Sequence, residues 1–256
     1  MAAQASFAQA PQTVQLQNLT WTELREQIQA GKTTVIIPIG GTEQSGPYIA
    51  VGKHNVRAQY LADRIAQKLG NALVAPVVAY VPEGSYAPPT SHMRFPGTIT
   101  VPDDVFEKLL ESAANSFAVH GFRNIVFLGD HGGYQKDLQQ VVAHLNKTWA
   151  GTKARAILPA VYYATSSDGY AQLLRQHGIR DDEIGTHAGL ADTSLQLAVA
   201  PQMVRQNQLR SAPKPSAADG VYGGDPRRST AELGQLGVDA IVSRTVDAIR
   251  QATAAR

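Results

Sequence analysis

Val35-Ile36-Ile37-Pro38-Ile39 is an unbroken apolar run of the kind that forms a strand buried on both faces. It predicts a strand over 34–39 that empties into the glycine-rich loop Gly40-Gly41-Thr42-Glu43-Gln44-Ser45-Gly46-Pro47-Tyr48 and runs on to His54. Upstream, Thr20 is a plausible N-cap with Glu23 at the capping-box position, and Leu24 and Ile28 lie one turn apart before Gly31, so a first helix is expected there. Downstream, Val56, Tyr60, Leu61, Ile65 and Leu69 form the apolar stripe of a helix over 55–69 that Gly70 ends. A second strand is expected from Leu73 to Val81. The proline-rich stretch from Pro82 to Pro96 suits neither helix nor central strand and predicts a long ordered loop.

The same alternation continues. Pro102 fits the first position of a helix whose apolar residues are Val105, Leu109, Ala113 and Phe117, with Asp103 and Asp104 favoured in its first turn. Asn124 to Leu128 reads as a third strand running into Gly129-Asp130-His131-Gly132-Gly133, followed by a helix from Gln135 to Trp149. Ala154 to Tyr163 reads as a fourth strand, with helices at 168–177, 188–199 and about 229–250 after it. Strands and helices alternate four times, so the expected fold is α/β: a three-layer sandwich with a mostly parallel central sheet covered by helices on both faces. Residues 1–14, Ala- and Gln-rich and without periodicity, read as a flexible tail, and 15–256 as one domain.

Composition narrows the function. With 43% hydrophobic and 17% charged residues the chain has the balance of a folded protein. A net charge of +2, with no run of Lys or Arg longer than two, argues against nucleic acid as a partner. No apolar stretch reaches the ~20 residues of a membrane helix. Ala8-Gln9-Ala10 has the form of an export-signal cleavage site without the preceding charged and apolar regions, so both a cytoplasmic and a periplasmic location fit. There are no cysteines, so a metal would be held by His, Asp and Glu alone.

Two strand-ends carry polar glycine-rich loops, with Glu43 and His54 after the first strand and Asp130 and His131 after the third. A third polar cluster, Asp182, Glu183, His187 and Asp192, comes at the start of a later helix. Parallel strands bring their carboxyl ends to one edge, so these loops can converge. Imidazoles and carboxylates suit zinc or manganese, although His or Asp beside a glycine turn also serves as a cap or turn former.

Residues 38–54 resemble the motif of the creatininase (creatinine amidohydrolase) family, Pro-x-Gly-x-x-Glu-Gln-His-Gly-Pro-His-Leu-Pro followed by an aspartate. Four further segments resemble it in order: Phe95-Pro96-Gly97-Thr98 with His92 upstream, Gly129-Asp130-His131-Gly132-Gly133, His187-Ala188-Gly189 with Asp192-Thr193-Ser194, and Gly224-Asp225-Pro226 with Ala231-Glu232-x-Gly234. The resemblance implies metal-ligand positions for Glu43, His54 and His131, with Asp192 as a candidate fourth, and a catalytic role for His187 beside Glu43. His54 stands where the family has a bridging aspartate, Ser45 replaces a histidine that binds a second metal, and Gly133 replaces a further carboxylate. One Zn or Mn per chain is therefore expected. Ser45, Tyr48, His92 and Asp130 are the candidate substrate-binding residues, Asp130 also as a support for the His131 ring.

The implied reaction is hydrolysis of a carbon–nitrogen bond in a small, possibly cyclic, amide by metal-activated water, with His187 protonating the leaving nitrogen. The alternatives are a binding protein whose metal chemistry has decayed, and a lactonase or peptidase using the same metal. Trp21 and Trp149 lie on predicted helices away from the site, so creatinine is not singled out as substrate. The resemblance also implies a homo-oligomer, a hexamer by family habit.

Overall fold

The computed structural model describes residues 12–254. Four parallel strands, β1 (Thr34–Ile39), β2 (Ala72–Val74), β3 (Asn124–Gly129) and β4 (Arg155–Ile157), lie in the order β2-β1-β3-β4. Ten α-helical segments accompany them among the described residues: α1 (Trp21–Gln29), α2 (Lys53–Leu69), α3 (Asp103–Val119), α4 (Gln135–Thr148), α5 (Val161–Ala164), α6 (Tyr170–Gln176), α7 (Asp181–Ile184), α8 (Leu190–Val199), α9 (Gln206–Ser211) and α10 (Ala231–Ala254).

The period of two along each strand sorts the core into two halves. Val35, Ile37 and Ile39 of β1 and Ile125 and Phe127 of β3 face one side, where they meet Phe106, Leu110 and Ala114 of α3 and Leu138, Val141 and Leu145 of α4. Ile36, Val126 and Leu128 face the other side, against Leu61, Ala62 and Ile65 of α2 and Val238, Ile241 and Val242 of α10. This is a helix–sheet–helix sandwich, as the alternation predicts. The chain moves from β1 to β2 with its helix on one face, then returns past β1 to β3 and β4 with helices on the other, as right-handed crossovers require. The order therefore reverses between β1 and β3, which is where an open parallel sheet leaves a crevice beyond its carboxyl ends.

Several boundaries differ from the sequence reading, and proline explains two of them. In place of the strand expected over 73–81 the chain pairs only over Ala72–Val74, because Pro76 offers no N–H to the ladder. The chain then returns to β1, with Val78 N–H donating to the Pro38 carbonyl at 2.9 Å. The expected fourth strand ends at Ile157, short of Pro159, and Val161 onward is helical, passing through one π turn (Thr165–Gly169) into α6. The helix expected from residue 55 begins at Lys53, so His54 sits in its first turn rather than in the loop. The Thr20–Glu23 capping box forms as expected. Most of the expected tail lies outside the described residues; at its end, the Val14 carbonyl accepts from Val74 N–H at 2.7 Å.

Candidate active site

Residues from both switch-point loops and from the first turn of α2 meet beyond the ends of β1 and β3. Tyr134 locks the two loops together: its hydroxyl lies 2.9 and 2.6 Å from the carbonyl oxygens of Ile39 and Gly40 and accepts from His131 N–H at 3.0 Å. Glu43 is fully buried at the centre. Its Oε1 accepts from His54 Nε2 at 2.8 Å and lies 3.5 Å from Lys53 Nζ. Its Oε2 faces His92 Nε2 at 3.3 Å and His131 Nε2 at 3.5 Å, with no hydrogen bond.

Glu83, from the proline-rich loop, joins them. It is buried, neither of its oxygens has a hydrogen-bond partner, and Oε1 lies 3.5 Å from His131 Nδ1. Gly41 makes the approach possible, because a Cβ there would stand 2.8 Å from Glu83 Oε1 and its φ of +142° disfavours a side chain. Glu43, Glu83, His92 and His131 each present one ligand atom within 4.8 Å of the others. Two carboxylates and two imidazoles suit zinc or manganese, and three buried carboxylate oxygens without donors are the atoms a cation would satisfy. The residues present fit a divalent cation.

Electrostatics divides this cluster. Burial pushes the Glu43 carboxyl up, but His54 and Lys53 outweigh it and hold it well below the ordinary carboxylate range. For Glu83, burial and then the charge of Glu43 outweigh the weaker pull of Lys53 and push it up to about 9. Burial pulls His131 down to about 4 and His92 down as well, against the pull of Glu43, so both imidazoles are neutral and able to ligate at pH 7.

The other residues expected at the site fall into distinct places. His54, expected as a ligand, has both ring nitrogens turned to carboxylates, Nε2 to Glu43 and Nδ1 to Asp130 Oδ2 at 2.6 Å, so neither lone pair is left for a cation. Asp192, the expected fourth ligand, is held by Lys53 and by Arg57 Nη1 at 2.6 Å and stands outside the four-residue group. Asp130 supports His54 rather than His131, and takes further hydrogen bonds from Arg57 Nε at 2.8 Å and the Tyr162 hydroxyl at 3.0 Å.

His187 stands against Glu43, with Nδ1 3.6 Å from Oε1 and Nε2 3.0 Å from the Gln44 carbonyl oxygen. Burial, then the nearby Lys53 charge, pull it down to about 3. His92 is inside the cluster, its Nδ1 2.9 Å from Gln44 Nε2. Ser45 is buried with its hydroxyl unpaired. Tyr48 packs against Leu197, Val204 and Leu209, away from the cavity. Asp182 pairs at the surface with Arg180, and Glu183 pairs with Arg228 at 2.7 Å.

Glu83, Lys53 and Arg57 were not singled out from the sequence. Only the contiguity of Lys53 with His54 and the position of Glu83 between Pro82 and Gly84 hinted at them. A cavity of about 920 Å³ opens onto His92, His131, His187 and Lys53 and extends toward Tyr163 and Asp168. Neither tryptophan lines it; Trp21 is exposed and Trp149 packs in the core between sheet, α3 and α4.

The family model for creatininase, described as creatinine amidohydrolase, matches residues 17–249. The chain belongs to the creatininase family. The creatinine amidohydrolase of Pseudomonas putida is 25% identical over 251 residues, covering 91% of this chain and 95% of that protein. The mycofactocin precursor peptide peptidase of Mycolicibacterium smegmatis is 27% identical, covering 90% of each. The 3-dehydro-scyllo-inosose hydrolase of Thermotoga maritima is 27% identical over 77% of this chain and 59% of its own length. A crystal structure of creatininase superposes with a TM-score of 0.76 at 23% identity, covering 94% of this chain and 98% of the other, which establishes the shared fold. Related structures are described as a manganese creatininase and as a Zn-Zn form of a creatininase mutant. The protein is a metal-dependent amidohydrolase of the creatininase family.

Proposed function

We propose that the protein hydrolyses a carbon–nitrogen amide bond with one Zn²⁺ or Mn²⁺ per chain, held by Glu43 Oε2, Glu83, His92 and His131. The observation that carries this reading is the convergence of three donor-less, buried carboxylate oxygens on two neutral imidazoles. When bound, the cation supplies a Lewis acid that polarises a carbonyl and makes water nucleophilic near neutral pH.

His187 supplies the proton traffic. Its Nε2 lies 3.0 Å from the Gln44 carbonyl oxygen and 3.1 Å from the Gln44 side-chain nitrogen, and its Nδ1 faces Glu43 Oε1 at 3.6 Å, so the ring is held by Gln44 on one side and faces the buried carboxylate on the other. With the imidazole drawn down to about 3, it is neutral at pH 7 and must first take up the proton that it gives to the leaving nitrogen. It takes a proton from water as oxygen bonds to the carbonyl carbon, and returns that proton to the nitrogen as the C–N bond breaks. The products are a carboxylic acid and an amine.

The cavity volume favours a second reading of the substrate. Creatinine-sized amides fill a small part of 920 Å³, whereas a short peptide would fill much more of it, and a peptide peptidase is among the relatives. A lactone would use the same residues with oxygen as leaving atom. We also infer that copies of this chain associate, since Val105 and Leu109 on α3 and Val119 at its end are exposed; light scattering on the purified protein tests it.

Chelator-stripped protein reloaded with Zn²⁺ or Mn²⁺ should cleave a member of a panel of cyclic amides, short peptides and lactones, followed by mass spectrometry. His131→Ala should retain no metal, and His187→Ala should keep metal but lose turnover by about a hundredfold or more. Protein that retains no divalent ion and hydrolyses nothing in its presence would overturn the proposal.

A further inference from the structure

Positive charge is distributed very unevenly around Glu43. On the Oε2 side Glu43 and Glu83 face the His92 and His131 imidazoles, with no lysine or arginine paired to Oε2 or to Glu83 and no hydrogen bond to any of the three oxygens. On the Oε1 side three basic residues from the first turns of α2 are packed out of water: Lys53 is fully buried, His54 and Arg57 nearly so. A helix N-terminus is a poor place for cations, because the macrodipole already puts positive charge there. The arrangement persists because each is matched: Lys53 to Asp192 and Glu43, His54 to Glu43 and Asp130, Arg57 to Asp130 and Asp192. Three carboxylates and three basic side chains form a closed network, and Lys53 and His54 also line the cavity.

We propose that Lys53 and Arg57 are covalently fixed cations that, with the His54 ring held between Glu43 and Asp130, occupy the Oε1 side of the site, so that only the Oε2 side takes an exchangeable metal ion. Lys53 is the positioning residue at the boundary: together with His54 it pins Oε1 and thereby aims Oε2 at the four-residue group. An added divalent ion on the Oε1 side would have to displace Lys53 or Arg57 from carboxylates they already neutralise. A site built this way is mononuclear by construction, with side-chain charge in place of a second ion. The inference rests on the metal site proposed above.

The test compares Zn²⁺ stoichiometry, by elemental analysis after equilibrium dialysis, between the full-length wild type and a Lys53→Ser, His54→Asp double variant checked for folding by circular dichroism. The variant turns the Oε1 side into a carboxylate pocket and is expected to hold one more Zn²⁺ per chain than wild type. A folded variant that gains none, or a wild type that already holds two, overturns the inference. A wild type that binds none beside a variant that binds one would sink the metal site of the proposed function, and with it the Oε2 half of this inference, while upholding the exclusion of metal from the Oε1 side by Lys53 and its neighbours.

Should the double variant not fold, Lys53→Gln serves in its place. The glutamine amide can still donate to Oε1 and His54 still pins it, so removing the positive charge alone is expected to tighten Zn²⁺ binding roughly fivefold by calorimetry. A residue that only supported the fold would leave affinity unchanged or weaken it, and either result overturns the proposal.

Discussion

Glu83 is a carboxyl group buried beside another carboxylate with no donor for either of its oxygens, and such a group keeps its proton. Pushed up to about 9, it is protonated at pH 7 in the metal-free protein, while a cation among Glu43, His92 and His131 requires it ionised. Zn²⁺ binding at pH 7 should therefore release about one proton per chain, and affinity should rise as pH climbs toward 9. Calorimetry in buffers of different ionisation enthalpy measures the released proton directly. In Glu83→Gln the release should vanish and affinity fall by tenfold or more; release undiminished in that variant would remove Glu83 from the site.

The residue scale also shows what a sequence conveys about a site. Glu43 and His131 were legible because each follows a strand whose apolar run is unmistakable, and the geometry of a parallel sheet then brings their loops together. Glu83 was not, because its placement depends on a long loop folding back over the site, with Gly41 making room; no spacing encodes that. Lys53 and Arg57 were overlooked for a different reason. A basic residue near a helix start ordinarily reads as solvated, and only the three carboxylates arriving from distant segments make its burial tolerable.

Among the elements, α10 and α8 show how close packing is bought with glycine. Gly234 lies directly on the backbone of Ser194, and a Cβ there would collide with its carbonyl and stand 2.9 Å from the Ala198 Cβ. Gly237, one turn on, meets Tyr170 and Leu195 in the same way, at 2.9 and 2.7 Å from a Cβ. Gly234→Ala should force the helices apart and cost about 1–3 kcal/mol despite the better helix propensity of alanine, read as a lower thermal midpoint. Because α8 carries Asp192, the same variant should also disturb the network around Lys53. A midpoint at or above wild type would show that the crossing tolerates the methyl group.

Element by element, the helices were more legible than the strands. The capping box at Thr20 forms as read, but the buried faces are partly displaced: on α2 Leu61 and Ile65 are buried while Val56 is exposed, and on α3 Phe106, Leu110 and Ala114 face the core while Val105 and Leu109 are exposed. Strand length depends on whether a neighbouring strand is present to pair with. The apolar residues after Val74 and Ile157 leave the ladder at or before Pro76 and Pro159, so composition alone overstates both strands. The order β2-β1-β3-β4 was not read from the sequence, but once known it accounts for why chemistry gathers after β1 and β3.

For the molecule as a whole, the site's titrating groups set opposite limbs of a stability profile. His131, His187 and His92 are held neutral in the fold, at about 4 and about 3 for the first two, while unfolded histidine titrates near 6.5. The unfolded chain therefore binds more protons as pH falls below about 6.5, and stability is lost on that side down to about pH 3. Glu83 acts with the other sign. Raised to about 9 against an unfolded value near 4.3, its contribution is complete below the unfolded value and is lost as pH rises toward 9. Between these limits the histidines outnumber Glu83, so the metal-free protein should be most stable at about pH 6–7 and weaken on both sides. A bound cation keeps Glu83 ionised in the fold and removes the alkaline limb, but it must compete with protons for His92 and His131 and so steepens the acid one. Thermal midpoints from pH 4 to 9, with and without saturating Zn²⁺, should thus change from a peak to a plateau above neutrality. An alkaline decline that zinc leaves untouched would mean that Glu83 does not meet the ion, and the four-residue site would have to be redrawn without it.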